Sequence, residues 1–346
     1  MAFIIKRRSI VCAMAALPFA GGARAQAKTG ALAYPVAVPG YQCVFVAQAQ
    51  GFLKEEGYDF KMIQGGSGVK TRAIMAAGEA DFMIADILHT LQLNNRQRPT
   101  KSIAAVDLRS PSQRWVIRKD LWDQGIDTVE KFAAWKRPNG SKPIFGISSL
   151  GGTAHLWAHY YMEKFGFEDN VSWVQVGNVE TMLGSLKTKQ IDILATTISL
   201  VSDAEKHGWG KAFFDGGNEQ IWNKYVGGPV PVNTVMCQQP TIAKDPEKVQ
   251  AYANALYRAL QWIKVNTPEK IHDVIEPFVG STSRESNLLE IAAVKEVTDY
   301  QGLVDPAAYD RGGKMWFREI TGIKPVRVDD AFDGSFIKKA HAKYGG

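Results

Sequence analysis

The sequence is poor in the features that mark several large classes of protein. It has 3 cysteines in 346 residues, too few for a disulfide scaffold. Its apolar runs are shorter than the roughly 20 residues that a membrane-spanning helix needs. Charged residues make up 22% of the chain and hydrophobic residues 45%. Disulfide-rich, polytopic membrane and disordered proteins are therefore excluded, and the length fits about two globular domains.

Runs of like charge are also scarce once the N-terminus is set apart. Lys6-Arg7-Arg8 precede an apolar run from Ile10 to Ala20, which is followed by Ala23-Arg24-Ala25. This order predicts a signal peptide over residues 1–25, cleaved after Ala25, and hence a periplasmic protein. Either general or twin-arginine export is compatible with it. Cleavage would remove four basic residues and no acidic one, so the formal charge falls from +6 to +2, and a nucleic-acid partner is not expected.

Two parts of the remaining chain resemble each other at a constant offset. Three pairs of identical residues are separated by 111 positions, namely Gln64 and Gln175, Gly66 and Gly177, Asp81 and Asp192. Each copy has the pattern of a strand, a glycine-containing turn, a helix and an apolar strand. Upstream, helices are predicted over Val44–Glu56 and Thr153–Phe165, each ended by glycine. Each half therefore predicts a βαβαβ lobe with a mainly parallel sheet.

Two further apolar strands are predicted to carry the chain between the lobes. They are Arg114–Arg118 and Val232–Cys237. We accordingly assign residues 26–112 to the first part of lobe 1, 113–219 to lobe 2, and 220–346 to the second part of lobe 1 with C-terminal helices. A long amphipathic helix is predicted from Pro246 through Ile263, because proline is favoured in a first helical turn.

At this point the chain resembles a known family. Pro39–Gln42, then Gly51-Phe-Leu-Lys-Glu-Glu-Gly-Tyr58 and Ala77-Gly-Glu-Ala-Asp-Phe82, are similar to motifs of ABC-transporter substrate-binding proteins of the nitrate/sulfonate/taurine class. The resemblance implies a two-lobed type II periplasmic binding fold, with lobes that close about two crossover strands on a solute delivered to a membrane permease. The family covers nitrate, sulfonates, pyrimidine precursors and aromatic acids, so the resemblance does not name the ligand.

The ligand is expected beyond the carboxyl ends of the strands, where helix N-termini favour anions. Turns that match the family's binding positions, together with neighbouring strand ends and connections, give the candidate ligand residues. Each could instead serve only as a helix cap or turn residue. The candidates are Tyr41, Gln42, Ser67, Gly68, Asp86, Arg114, Ser149, Gly152, Thr153, His155, Thr197 and Asn233.

The motifs of common enzymes are incomplete. Gly65–Thr71 lacks the glycine that a phosphate loop places directly before its lysine, and Gly146–Gly151 has the second glycine of G-x-S-x-G one place late. His155, His159 and Glu163 could share one helix face, but the H-E-x-x-H pattern is absent. We therefore expect no catalytic residue, metal or cofactor. The alternative is an exported enzyme on the same fold, acting on a small anionic or pyrimidine-like substrate.

The ligand class is inferred from side chains near the expected cleft. Tyr41, Trp115, Trp157 and Trp222 could stack on a flat anion, with Arg109 and Arg114 beside them, although tryptophans more often fill cores. This favours a small organic anion, either a sulfonate or an aromatic carboxylate. A monomer is expected. Cys43 and Cys237 could form a periplasmic disulfide or be two buried thiols.

Overall fold

The structure is a computed structural model of the chain, and it describes residues 27–345. The predicted signal peptide and its cleavage site lie outside these residues. The described residues form ten β-strands, which are β1 (Lys28–Tyr34), β2 (Tyr58–Gln64), β3 (Phe82–Asp86), β4 (Thr100–Ala105), β5 (Arg114–Arg118), β6 (Ile144–Ile147), β7 (Ser172–Gln175), β8 (Ile193–Thr196), β9 (Gly210–Asp215) and β10 (Asn233–Gln238).

The α-helices lie mainly between these strands and after the last one. They are α1 (Gln42–Ala49), α2 (Phe52–Glu55), α3 (Gly68–Ala76), α4 (Leu88–Asn95), α5 (Lys119–Asp123), α6 (Val129–Ala134), α7 (Thr153–Phe165), α8 (Val179–Lys187), α9 (Ile198–Lys206), α10 (Glu219–Tyr225), α11 (Gln239–Lys244), α12 (Pro246–Val265), α13 (Pro268–Ile275), α14 (Arg284–Val297), α15 (Pro306–Trp316), α16 (Val328–Ala331) and α17 (Ser335–Tyr344).

The strands form two five-stranded sheets with equivalent orders. The first sheet has the order β2-β1-β3-β10-β4, and only β10 is antiparallel to its neighbours. The second has the order β7-β6-β8-β5-β9, and only β5 is antiparallel. Each antiparallel strand is the one that the chain forms directly after crossing from the other lobe. The predicted α/β fold with two mainly parallel, helix-flanked sheets is confirmed.

The described chain crosses between the lobes twice, once just before β5 and once just before β10. These two crossings lie side by side. The amide group of Val230 donates to the carbonyl oxygen of Leu108 over 2.8 Å. The carboxylate of Asp107 accepts from the backbone N–H groups of Val232 and Asn233, at 2.9 Å each. Because Asp107 is on the first crossing and its donors are at the second, this side chain holds the two crossing segments together.

The repeated residues have repeated structural roles. Gly66 and Gly177 have φ angles of 79° and 83°, in the left-handed region that favours glycine. The residues that follow, Ser67 and Asn178, cap α3 and α8 by accepting from the amide three positions on. The offset found in the sequence therefore marks two equivalent strand-to-helix turns, one per lobe.

One predicted helix is divided in two. The segment Val44–Glu56 was expected to be continuous, but Gly51 has a φ of 74° and separates α1 from α2. A left-handed residue cannot continue a right-handed helix, so the chain turns there. The predicted helix Thr153–Phe165 is confirmed with its stated bounds, and Gly166 ends it with a φ of 76°.

The first sheet has its own hydrophobic core, whereas the cluster around the second sheet also includes Leu88 and Leu91 of α4. Helices α1, α12, α13 and α17 pack with the first sheet. Trp222, Tyr309 and Trp316, which the sequence assigns to lobe 1, lie in one cluster with Trp115 of β5 and Trp157 of α7. The rings of Trp157 and Trp222 are 5.0 Å apart, and this contact holds α10 on the second lobe.

Candidate functional site

A cavity of about 80 Å³ lies between the lobes, at the carboxyl ends of the parallel strands. Its wall includes residues that follow β1, β2 and β3 of the first sheet and β6 and β8 of the second. It has room for a few groups the size of a water molecule, which fits a small solute rather than a cofactor. We call this cavity the cleft.

Half of the predicted ligand residues line the cleft. They come from both lobes and from the segment that re-enters the first lobe, and they are Tyr41, Ser67, Gly68, Thr153, Thr197 and Asn233. Asn233 is oriented by Asp107, whose carboxylate accepts from its side-chain amide over 2.7 Å. Whether these residues bind a ligand stays a prediction.

Four helices begin at the cleft wall. Gly68, Thr153 and Val179 are the first residues of α3, α7 and α8, and Thr197 is the N-cap of α9. The first amide groups of a helix have no intrahelical acceptor, and this end of the helix carries a partial positive charge. Among the described residues that line the cleft there is no lysine or arginine, so helix ends supply the positive potential at its wall.

Two charged candidates are bound to protein groups outside the cleft. One carboxylate oxygen of Asp86 accepts from the amide of Leu88 at 2.8 Å, and the other accepts from the indole N–H of Trp157 at 3.0 Å. Arg114 forms an ion pair with Asp215 and lines a separate groove on the second lobe. The orientation of both side chains follows from their positions in β3 and β5, which direct them away from the cavity.

His155 is also held outside the cleft. Its Nδ1 atom accepts from the amide of Gly151 over 3.1 Å, and burial lowers its pKa to about 4. Its neighbours His159 and Glu163 both contact the guanidinium of Arg318. A cation from the protein thus lies on the helix face where a metal was considered, and no group of three metal-ligating side chains is found within residues 27–345.

The other three candidates lie close to the cleft but do not line it. Gln42 faces a separate void of about 10 Å³, and its amide nitrogen and oxygen have no partner. The hydroxyl of Ser149 is buried without a partner. A Cβ atom at Gly152 would lie 2.6 Å from the Ser149 Oγ atom, so a larger residue at this N-cap would require the Ser149 side chain to move.

The sequence reasoning missed several polar residues of the cleft. Ser110, Ser112 and Gln113 come from the first crossing, and His89 comes from the first turn of α4. The Nε2 atom of His89 and the Oε1 atom of Gln113 are buried and have no hydrogen-bond partner. His89 follows the end of β3 by three residues, and that spacing was the available signal.

The aromatic candidates divide between cleft and core. Tyr41 lines the cleft, whereas Trp115, Trp157 and Trp222 are fully buried in the second lobe. The larger part of the cleft wall is aliphatic, with Val38 and Met182 among its residues. Stacking of a flat ligand is therefore available from Tyr41 and not from these tryptophans.

The two cysteines of the described residues are both free. Cys43 lies on α1 and Cys237 on β10, and both are in the core of the first lobe. Burial raises the pKa of each thiol to about 12. Thiols with so little thiolate at neutral pH are poor nucleophiles.

No helix between residues 27 and 345 combines the length and the apolarity that crossing a membrane requires.

Comparisons with known proteins identify a family and a similar protein. A model of the NMT1-like family matches residues 26–277. YtlA of Bacillus subtilis (strain 168) is 22% identical over 265 residues, which cover 75% of this chain and 73% of YtlA.

Two solved structures illustrate the similarity of fold. A protein of Bordetella bronchiseptica RB50 is 20% identical with a TM-score of 0.77, over 92% of this chain and 98% of that one. The periplasmic nitrate-binding protein NrtA of Synechocystis PCC 6803 is 14% identical with a TM-score of 0.68, over 92% of this chain and 90% of that one. At these identities the likeness concerns the fold.

Proposed function

Because the chain belongs to the NMT1-like family, we propose that it is the solute-binding component of an ABC importer. In this role it captures a small organic anion, a sulfonate or an aromatic carboxylate, in the cleft and delivers it to a membrane permease. The proposal includes a periplasmic location, which the signal-peptide pattern of residues 1–25 supports, and a monomeric state.

The observation that carries this proposal is the cleft itself. Its wall is built from residues of both lobes, so a ligand there contacts both at once. A solute that bridges two lobes stabilises their closed arrangement, which is how hinge-bending binding proteins work. Four helix N-termini favour a negatively charged ligand.

The proposal includes no chemical step. His89 is the one imidazole among the described residues of the cleft wall, and its Nδ1 atom is paired with Arg72 rather than with a hydroxyl. The Nδ1 atom of this imidazole is therefore not placed to activate a nucleophile. The exported-enzyme alternative becomes an outcome of the test below.

A thermal-shift panel on residues 26–346 tests the proposal. After removal of co-purified ligand, the protein is mixed with nitrate, methanesulfonate, taurine, benzenesulfonate or benzoate, and with choline as a cationic control. A ligand that binds only the folded state adds about 2.7 kcal/mol at a hundred times its dissociation constant. We expect at least one anion, and not choline, to raise the melting temperature.

A matched pair of variants locates the binding. Ala154 lines the cleft, so Ala154→Phe should fill it and abolish the shift. Ala134 is exposed at the end of α6, so Ala134→Phe should leave the shift intact. Absence of any anion-induced shift together with turnover of one of these solutes would overturn the proposal in favour of an enzyme.

A further inference from the structure

A buried imidazole with one free nitrogen lies in the cleft wall. His89 is fully buried on α4, and its Nδ1 atom is 3.1 Å from the Nη1 atom of Arg72 on α3. Its Nε2 atom has no partner. A Cβ atom at Gly68 would lie 2.5 Å from Nε2, so this nitrogen faces the first residue of α3 across space that only glycine leaves open.

The contact with Arg72 determines which nitrogen of His89 carries the proton. A guanidinium group only donates hydrogen bonds, so Nδ1 must accept and is unprotonated. Burial, followed by the charge of Arg72, lowers the pKa of His89 to about 3. A weak hydrogen-bonding contact with the Gln92 side chain acts in the other direction and is the smallest of the three effects. The ring is therefore neutral and its proton is on Nε2, which lies against Gly68 in the cleft wall.

The positive charge behind His89 has no counter-charge. Arg72 is buried, with 7% of its surface exposed, and among the described residues its side chain is bonded to His89 and to no carboxylate. Burial and the nearby Arg96 together lower its pKa to about 10. An unpaired buried cation is costly, and an anion on the far side of His89 would offset that cost.

The start of α3 adds two more donors at the same point. Ser67 caps the helix by accepting from the amide of Lys70. The amide N–H groups of Gly68 and Val69 are in the first turn of this helix and have no acceptor within it. The positive end of the helix faces the cleft.

We propose that the Nε2–H group of His89 and the first amides of α3 bind the oxyanion head group of the ligand, with Arg72 setting the tautomer and supplying the charge. This subsite takes one sulfonate or carboxylate group, and the apolar body of the ligand lies along Val38, Met182 and Leu200. The inference rests on the proposed function and makes His89 a determinant of anion specificity.

Replacing the imidazole tests the subsite by affinity. His89→Phe keeps a ring but removes the donor, and His89→Gln keeps a side-chain N–H donor. For each anion that binds the wild-type protein, we expect His89→Phe to weaken the affinity about ten- to a hundredfold in calorimetric titrations. His89→Gln should bind them more tightly than His89→Phe does.

His272 provides a matched control. It is also buried, and its Nδ1 atom accepts from Arg284 over 2.7 Å, but it lies on α13, away from the cleft. His272→Phe should bind anions as the wild-type protein does. If it loses as much affinity as His89→Phe, or if His89→Phe loses none, the subsite inference fails.

A measurement on the unmodified protein keeps the inference testable if His89→Phe does not fold. Long-range ¹H–¹⁵N spectra of histidine-labelled protein at neutral pH should show the Nε2–H tautomer for His89, with a resonance that moves when an anion binds. An Nδ1–H tautomer or an imidazolium at His89 overturns the inference. If the wild-type protein binds an anion and His89→Phe binds it equally well, only the subsite inference fails. If the wild-type protein binds none of the anions, the proposed function fails too.

Discussion

Asp86 shows that a side chain at the carboxyl end of a strand need not serve the cleft. Its carboxylate joins β3 of the first lobe to the indole of Trp157 on α7 of the second. Burial raises its pKa to about 7, although the bonds from Leu88 and Trp157 act in the opposite direction. A contact between the lobes therefore includes a group that titrates near neutrality.

Replacing Asp86 by asparagine should remove part of the pH dependence of stability. The folded protein keeps a proton on Asp86 up to about pH 7, whereas the unfolded chain releases it near pH 4. Asp86 thus contributes up to about 4 kcal/mol to the free energy of unfolding at low pH. This contribution is lost as the pH rises from the pKa of the unfolded chain to that of the folded protein, about 7. Urea unfolding of both proteins between about pH 5 and about pH 8 should show the wild-type protein losing free energy of unfolding relative to Asp86→Asn. Parallel pH dependences of the two proteins would contradict this expectation.

At the scale of elements, the aspartates that precede β3 and β8 attach these strands to their neighbours. Asp81 accepts from the amide of Ala31 at 2.9 Å and pairs with Lys248. Asp192 accepts from the amide of Ile144 at 2.7 Å and pairs with Arg118. The same pair of interactions thus attaches the central strand of each sheet to its parallel neighbour, which explains why both halves have aspartate directly before that strand.

The two aspartates should differ in their contribution to stability. The Asp192 side chain is fully buried, whereas that of Asp81 is 24% exposed. Breaking a buried ion pair costs about 3–5 kcal/mol, so we expect Asp192→Ala to lower the free energy of unfolding by this amount. Asp81→Ala should cost about 1 kcal/mol. Equal losses in denaturant unfolding would show that burial does not set the difference.

At the scale of the molecule, α14 connects the lobes through Glu290. One oxygen of this buried carboxylate accepts from the amide of Gly40 in the first lobe at 2.9 Å. The other accepts from the amide and the hydroxyl of Ser199 in the second. Gly40 adjoins Tyr41 and Ser199 is two residues after Thr197, so Glu290 holds together the two sides of the cleft wall from behind.

Weakening this connection should favour the open arrangement of the lobes. Glu290→Gln replaces one acceptor by a donor, which leaves a buried N–H group unpaired at a cost of about 1–3 kcal/mol. We expect a larger radius of gyration by small-angle scattering for the ligand-free variant, together with a lower free energy of unfolding. Glu285→Gln is the control. Glu285 is on the same helix as Glu290, and its exposed ion pair with Lys206 of α9 should contribute little to stability. The expectation fails if both variants scatter as the wild-type protein does.

The fold was more predictable than the site because the two depend on different information. Gly66, Gly177 and the strand patterns are local signals, and they place the same turns in both lobes. Whether Arg114 faces the cleft depends on its partner Asp215 across the sheet, which no local pattern reveals. The spacing of His89 after β3 is a local signal, but its contact with Arg72, 17 residues earlier in the chain, is not visible in that pattern.

The position of β10 has a consequence for the order in which the protein is made. β10 lies between β3 and β4, so the first sheet stays incomplete until residue 238 has left the ribosome. The second sheet is complete by residue 215. The lobe that begins the chain is thus the last to close, and until then two strand edges are open to wrong pairing. A chain interrupted after residue 215 would contain one complete sheet and one aggregation-prone one.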